Sequence, residues 1–428
     1  MKLAAIFTDH MVLQRHTPIA LFGDGSGHGR VEFCGTVTDI QAEDGFLVYL
    51  PAQEAGGPYE MTVTLNGETT VLTDILIGDV YLAGGQSNMA MRVEETVDIP
   101  RTPNSRIRHY TEGHYYWGQS EPARYAPQHW QPATDEYIKD FTAIGFGMAQ
   151  ILQAELDVPI GILSCNIGAT RVDAWTAPEI VNSPEYQAMI AQRHPDWTNY
   201  DINQNSWPYV NRLLYIVPYT VAGVLWYQGE SNRLEAEAVH YHTLLTRLIE
   251  NWRDLWQAQL PFYIVQIAPF ADSADNDWPH IRQRQEWVTK EVPGTYLCTL
   301  VHTGETDNIH PTKKLTLATE VANAVLTAAF GYDREYCGPV YDTAEKTAEG
   351  VRITFTHADG LHFDGEPADL QVYDAAGTTL SYTATVDGNA LAIAAPDAAR
   401  VTLGWQNAPT HNLYNAAGFL ASPFFIEL

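Results

Sequence analysis

Cysteine is scarce in this chain. Only Cys34, Cys165, Cys298 and Cys337 occur in 428 residues, far apart and with no CxxC spacing. This excludes a disulfide framework or a zinc knuckle as the organising feature and leaves free, buried thiols as the expectation. Basic residues are few as well: 24 Lys and Arg stand against 52 Asp and Glu, a net charge of −28. Nucleic acid and anionic membranes would repel such a surface, so neither is an expected partner. No apolar run approaches the roughly 20 residues of a membrane span. The opening "MKLAAIFTDHMVLQR" has too short an apolar stretch for a signal-peptide core, so the chain as given is expected in the cytoplasm.

What is present is organised in three parts. Residues 1–77 alternate apolar and polar positions between Gly, Asp-Gly and Asn-Gly turns, which predicts an N-terminal β-sandwich-like domain. From 78 to 330, apolar strand candidates such as "DVYLAGG", "VPIGILSCNIG", "AGVLWYQGES", "PFYIVQIAPF" and "TYLCTLVHT" alternate with helical patterns such as "FTAIGFGMAQILQAEL" and "HYHTLLTRLIENWRDLWQ". That alternation predicts an α/β domain, a parallel sheet flanked by helices. Residues 331–428 return to strand patterning and predict a C-terminal β-rich domain.

Sites in such sheets form at the C-terminal ends of strands. Four polar clusters fall there: Ser87 after "VYLAGG", "NIGATR" after "GILSC", "QGESN" after "GVLWY", and "HTGETDNIHP" after "TYLCTL". Gly84 and Gly85 permit a tight strand-to-helix turn that presents the Ser87 hydroxyl beside its own N–H. The pattern is not a GxSxG elbow, and a plain N-cap serine suits the position equally. His310, three residues after Asp307, is the best candidate base; a loop of this length can fold the carboxylate back onto the ring, and a solvated loop pair is the plainer alternative. The Gly168 N–H and the Gln228 amide, with Asn232 as second choice, are candidate oxyanion donors, or else structural amides. Glu230 is an alternative orienting carboxylate. Arg171 either meets a substrate carboxylate or is ion-paired. Trp117, with Tyr115 and Tyr116, either stacks on a sugar ring or packs in the core. His240 and His242, two apart on a helical pattern, do not share a face, so no metal site is expected.

The ordered motifs "GGQSNM" (84–89), "NIGATRVDAW" (166–175), "GVLWYQGESN" (223–232), "PHIRQRQ" (279–285) and "DNIHP" (307–311) resemble the sialate O-acetylesterase-like branch of the SGNH hydrolases, and both chain ends resemble it too. The resemblance implies a carbohydrate acetylesterase with no cofactor. It places the nucleophile on Ser87, its partners on Asp307 and His310, and the oxyanion donors on Ser87, Gly168 and Gln228. The family's Gly-Gly-Thr is here Gly168, Ala169 and Thr170, which keeps the N–H but adds a Cβ. The implied substrate is an acetylated mono- or oligosaccharide. The charge of −28 leans toward neutral hemicellulose-type sugars, with sialate esters close behind. A non-catalytic carbohydrate-binding protein is the alternative of another class.

Overall fold

The computed structural model describes residues 1–112, 129–191, 201–271, 276–299, 301 and 304–428. Contacts divide the chain into two compact units. One holds Met1–Ser183, Pro195–Trp226 and Arg247–Phe262; the other holds Pro184–His194, Tyr227–Thr246 and Tyr263–Leu428.

In the first unit the N-terminal strands behave as their turn signals predict. Gly27–Phe33 pairs antiparallel with Thr36–Ala42 and with Gly56–Leu65. Asn66 and Gly67, with φ of +51° and +83°, turn Gly56–Leu65 back onto β1 (Glu68–Gly85). Burial along β1 changes halfway. Its first residues alternate toward solvent, whereas every residue from 75 to 85 is buried. The first half borders an antiparallel sheet with one wet face, and the second half enters a sheet covered on both faces. Residues 77 and 78, where the sequence suggests a domain boundary, lie inside this strand.

After the single turn α1 (Ser87–Ala90) come β2 (Asn104–Thr111), β3 (Gln131–Ala133), α2 (Ala143–Leu156), β4 (Ile160–Asn166) and β5 (Gly223–Tyr227). The strand order is β3–β2–β4–β1–β5. β2, β4 and β1 run parallel, with Ile160 beside Asp79 and Asn166 beside Gly85. The edge strand β3 is antiparallel to β2, so the sheet is mixed where alternation predicts a purely parallel one. An edge strand pairs on one side only and accepts either direction, and Pro132 within it suits an edge. α2 lies against β4 and β2. α3 (Tyr241–Trp256) is helical as its spacing predicts, and Trp252 on it meets Trp226 edge to face at 5.5 Å.

The second unit carries the neighbouring strands β6 (Phe262–Val265) and β7 (Thr295–Cys298), the helix α4 (Trp278–Glu291) between them and α5 (Leu315–Phe330) after them. Asp277 caps α4 by accepting from the His280 N–H, and left-handed Gly331 ends α5. Beyond residue 340 the β-rich expectation holds. A four-stranded sheet that includes Gly350–Thr356 and a three-stranded sheet that includes Arg400–Leu403 share a core containing Ile353, Leu391, Val401 and Phe424.

One buried cation ties this unit together. Arg282 on α4 is wholly buried. It donates to four carbonyls: Ile267 through Nε (3.0 Å), Ala268 and Asn407 through Nη2 (3.1 and 2.8 Å), and Gln406 through Nη1 (3.0 Å). Burial lowers the guanidinium to about 9, so it stays charged at neutral pH. Arg282→Met takes this donor from all four carbonyls, of which Asn407 O keeps the Phe270 N–H at 3.2 Å, and is expected to lower unfolding stability by on the order of 3 kcal/mol or more in urea titrations.

Candidate active site

The turn after β1 uses both glycines. A Cβ on Gly84 would stand 3.2 Å from Trp252 Cη2 and 3.3 Å from Trp226 Cε3, and Gly85 has φ of +133°. Gln86 then caps α1 through its carbonyl, which accepts from Met89 N and Ala90 N at 2.9 Å. Ser87 is the first helical residue, half-buried. The plain N-cap alternative for Ser87 is therefore not what the chain adopts, because the cap is Gln86. A one-turn helix sums few peptide dipoles, so local N–H groups carry the electrostatics here.

Because Asn166 lies beside Gly85, the chain leaving β4 passes the chain leaving β1. A Cβ on Gly168 would stand 3.4 Å from Ser87 Cβ. The segment is held on both sides. Thr170 Oγ1 donates to Ile167 O at 2.7 Å and accepts from Trp175 Nε1 at 2.9 Å. Asn203 accepts from Arg171 N at 2.8 Å and donates to Ala169 O at 2.9 Å. Asn203 carries no signal in the sequence, since its partners lie far upstream. Ala169, where the family has glycine, sits at φ +60°, a left-handed conformation. Arg171 is buried, with Nε 3.6 Å from Asp173 Oδ1.

Gln228 and Asn232 form a buried chain in the second unit. Tyr241 Oη lies 2.8 Å from both Gln228 O and Gln228 Oε1, and Gln228 Nε2 donates to Asn232 Oδ1 at 2.8 Å. Asn232 Nδ2 donates in turn to Glu237 Oε2 at 3.0 Å. Gln285 on α4 donates to Gln228 O and Val265 O, both at 3.0 Å. Glu230 is also buried, and its carbonyl accepts from Arg233 Nη1 at 2.9 Å.

Asp307 and His310 are both exposed, on a loop shaped by Glu305. Glu305 Oε1 accepts from Thr312 N and Oγ1 at 2.8 and 2.6 Å, and Oε2 accepts from Asn308 Nδ2 at 2.9 Å. Asn308 Oδ1 accepts from His310 N at 3.0 Å. The Thr312 and Asn308 bonds hold the Glu305 carboxyl below the usual carboxylate range. Ala271 N donates to Thr306 O at 2.6 Å, which ties this loop to the one after β6. The sequence signal for Glu305 is weak, an acid with Asn and Thr three and seven residues on.

Of the candidate residues, Ser87, Gly168 and Arg171 thus belong to the first unit, and Gln228, Asn232, Asp307 and His310 to the second. Trp117, Tyr115 and Tyr116 lie outside the described residues. His242 Nε2 lies 3.1 Å from Glu291 Oε2, and the described residues contain no group of three or more metal-ligating side chains.

A buried acid closes β2. Glu112 N donates to Ser164 O at 2.8 Å, and Tyr110 Oη donates to Glu112 Oε2 at 3.2 Å. Burial pushes its carboxyl up to about 7, although Arg212 opposes the shift.

Residues 77–327 match the family model described as carbohydrate esterase, sialic acid-specific acetylesterase. The chain belongs to this family. It is a carbohydrate O-acetylesterase, a carboxylic ester hydrolase. It is similar to a novel carbohydrate acetylesterase from Xanthomonas citri, at 28% identity and a TM-score of 0.86 over 100% of this chain and 99% of that one. The sialate O-acetylesterases of Pongo abelii and Homo sapiens are each 25% identical over 403 residues, 83% of this chain and 76% of theirs. The fold is thus the α/β, SGNH-hydrolase-like one that the motifs imply, with β-rich regions at both ends.

Two expectations follow for this esterase. Ala169→Gly relieves the left-handed alanine, partly offset by glycine's greater unfolded-chain freedom, so stability in chemical denaturation rises by up to about 1 kcal/mol. Glu112 prefers its neutral form when folded. Its contribution is therefore present below pH about 4.5 and is lost as pH rises through about 7. Glu112→Gln is expected to match wild type at pH 5 and to exceed it at pH 8 by up to about 3 kcal/mol, read from urea midpoints at the two pH values.

Proposed function

We propose that the esterase works through an acyl-enzyme on Ser87. His310 takes the Oγ proton as Oγ attacks the acetyl carbonyl, and Asp307 orients the imidazole and stabilises its cation. The N–H groups of Ser87 and Gly168 and the Gln228 amide hold the oxyanion. Collapse of the tetrahedral species breaks the bond between the acetyl carbonyl carbon and the sugar oxygen, and the sugar alcohol leaves with the proton from His310. Water, activated by the same imidazole, then releases acetate and restores Ser87. The observation that carries this reading is Gly168 beside Ser87, with only 3.4 Å between the Ser87 Cβ and the position of a Gly168 Cβ. The orientation of the Gln228 amide, whose nitrogen donates to Asn232 Oδ1, supports it further.

The substrate we infer is a neutral acetylated oligosaccharide of the hemicellulose kind. Its support is the net charge of −28, which repels anionic sugars at long range, and Asp173 beside Arg171. A sialate ester is the second reading, favoured by the family description and by the names of the mammalian relatives. Acetate release from acetylated xylo-oligosaccharides, manno-oligosaccharides and sialic acid, assayed side by side, decides between them.

Ser87→Ala is expected to lower ester hydrolysis about a thousandfold or more with the melting temperature kept, and His310→Ala nearly as much. Asp307→Asn should cost somewhat less. Activity of Ser87→Ala within tenfold of wild type removes the mechanism. Glu230→Gln proving far more damaging than Asp307→Asn moves the orienting role to Glu230.

A further inference from the structure

A carboxylate–imidazole pair stands at the start of α4 in the second unit. Asp277 Oδ2 lies 2.5 Å from His280 Nδ1. With Nδ1 committed to the carboxylate, the neutral ring presents Nε2 as an acceptor. That atom has no hydrogen-bond partner among the described residues, and the side chain is 32% exposed. Trp405 meets the same imidazole edge to face, centroids 5.0 Å apart at 82°, and its other neighbour is Phe425 at 5.3 Å. Its indole N–H likewise has no partner among the described residues, and the residue is partly exposed. A half-exposed aromatic ring thus brings together one donor and one acceptor that no described residue engages.

The framework around them is rigid and belongs to the strand-end loops. Asp277 N donates to Arg233 O at 2.6 Å, and Arg233 Nη1 to Glu230 O, so the start of α4 is pinned to the segment after Gln228. Residues flanking Trp405 are held by Arg282 through the carbonyls of Gln406 and Asn407. Phe270 N also donates to Asn407 O at 3.2 Å, while its neighbour Ala271 bonds the loop of Asp307 and His310. The cluster therefore stands at the carboxyl edge of β6 and β7, where ligands of such sheets bind.

We propose that Trp405, His280 and Asp277 form a subsite for a neutral pyranose ring of the carbohydrate substrate. The indole offers apolar area to the ring's C–H face and its N–H to a hydroxyl oxygen, while His280 Nε2 accepts a neighbouring hydroxyl proton. Asp277 acts through His280 as a positioning residue. This deepens the carbohydrate reading of the enzyme and does not depend on which residue is the base.

The test separates binding from chemistry. Calorimetry with Ser87→Ala protein and non-acetylated xylo- and manno-oligosaccharides should show binding, weakened at least tenfold by adding Trp405→Ala and about threefold to tenfold by Trp405→Phe, which keeps the packing on Phe425 but removes the N–H. In the otherwise wild-type enzyme, Trp405→Ala and His280→Ala should each lower the ratio of kcat/KM for acetylated oligosaccharide to kcat/KM for 4-nitrophenyl acetate about tenfold or more. An unchanged ratio, or oligosaccharide affinity indifferent to both Trp405 variants, overturns the subsite. So does loss of 4-nitrophenyl acetate turnover to background in folded His280→Ala protein, since that makes His280 part of the acyl-transfer machinery. Failure of the Ser87 mechanism itself would appear separately, as esterase activity surviving Ser87→Ala while the calorimetric result stands.

Discussion

The first unit depends on a single register. β1 and β4 run parallel with Gly85 beside Asn166, so two loops leave the sheet side by side. A slip of one residue would exchange the faces of the strand and bring Ser164 where buried Cys165 now lies. Two tryptophans crowd Gly84, leaving 3.2 to 3.3 Å for a Cβ, which helps to lock the alignment. The approach of Gly168 to Ser87, the Asn203 clamp and the left-handed Ala169 all follow from it. A stiff turn of this kind suits electrostatic stabilisation of a transition state, because donors fixed in advance need no reorganisation when charge develops.

The second unit relies on one helix face. Arg282 and Gln285 are three residues apart on α4 and so project together. Gln285 receives the loop after β5 and the end of β6, and Arg282 receives the loop after β6 and residues 406–407. The groups they donate to are carbonyls, which in an irregular loop would otherwise lack a donor away from water, and Gln285 Oε1 in turn accepts from Ile267 N at 3.0 Å. The same helix starts on Asp277 and His280, and near its end Glu286 accepts from Ser422 at 2.5 Å and pairs with Lys290 at 2.7 Å. Loops from the catalytic sheet and from the C-terminal β region therefore share one support. That is the physical reason a side chain from the β region, Trp405, can stand with residues of the strand-end loops.

Much of this molecule was legible from local chemistry. Asn66-Gly67 marked a hairpin, the glycine pair before Ser87 marked a tight turn, and the spacing in α3 marked a helix, because each signal is carried by residues within a few positions of one another. The polar clusters at strand ends were legible for the same reason. Other features were decided only in three dimensions. That Gln86 caps α1 and Ser87 does not, that Arg171 lies against Asp173, and that the Gln228 amide donates to Asn232 are outcomes of packing. The bonds that shape the loops reach further still: Asn203 meets Ala169 across 34 residues, and Arg282 meets Gln406 across 124. Periodicity and turn chemistry are properties of neighbours in the chain, so the sequence determined the elements and the residue types at their ends. Register, and the choice of carbonyl that a buried side chain satisfies, are properties of neighbours in space, and only the packed tertiary structure could decide them.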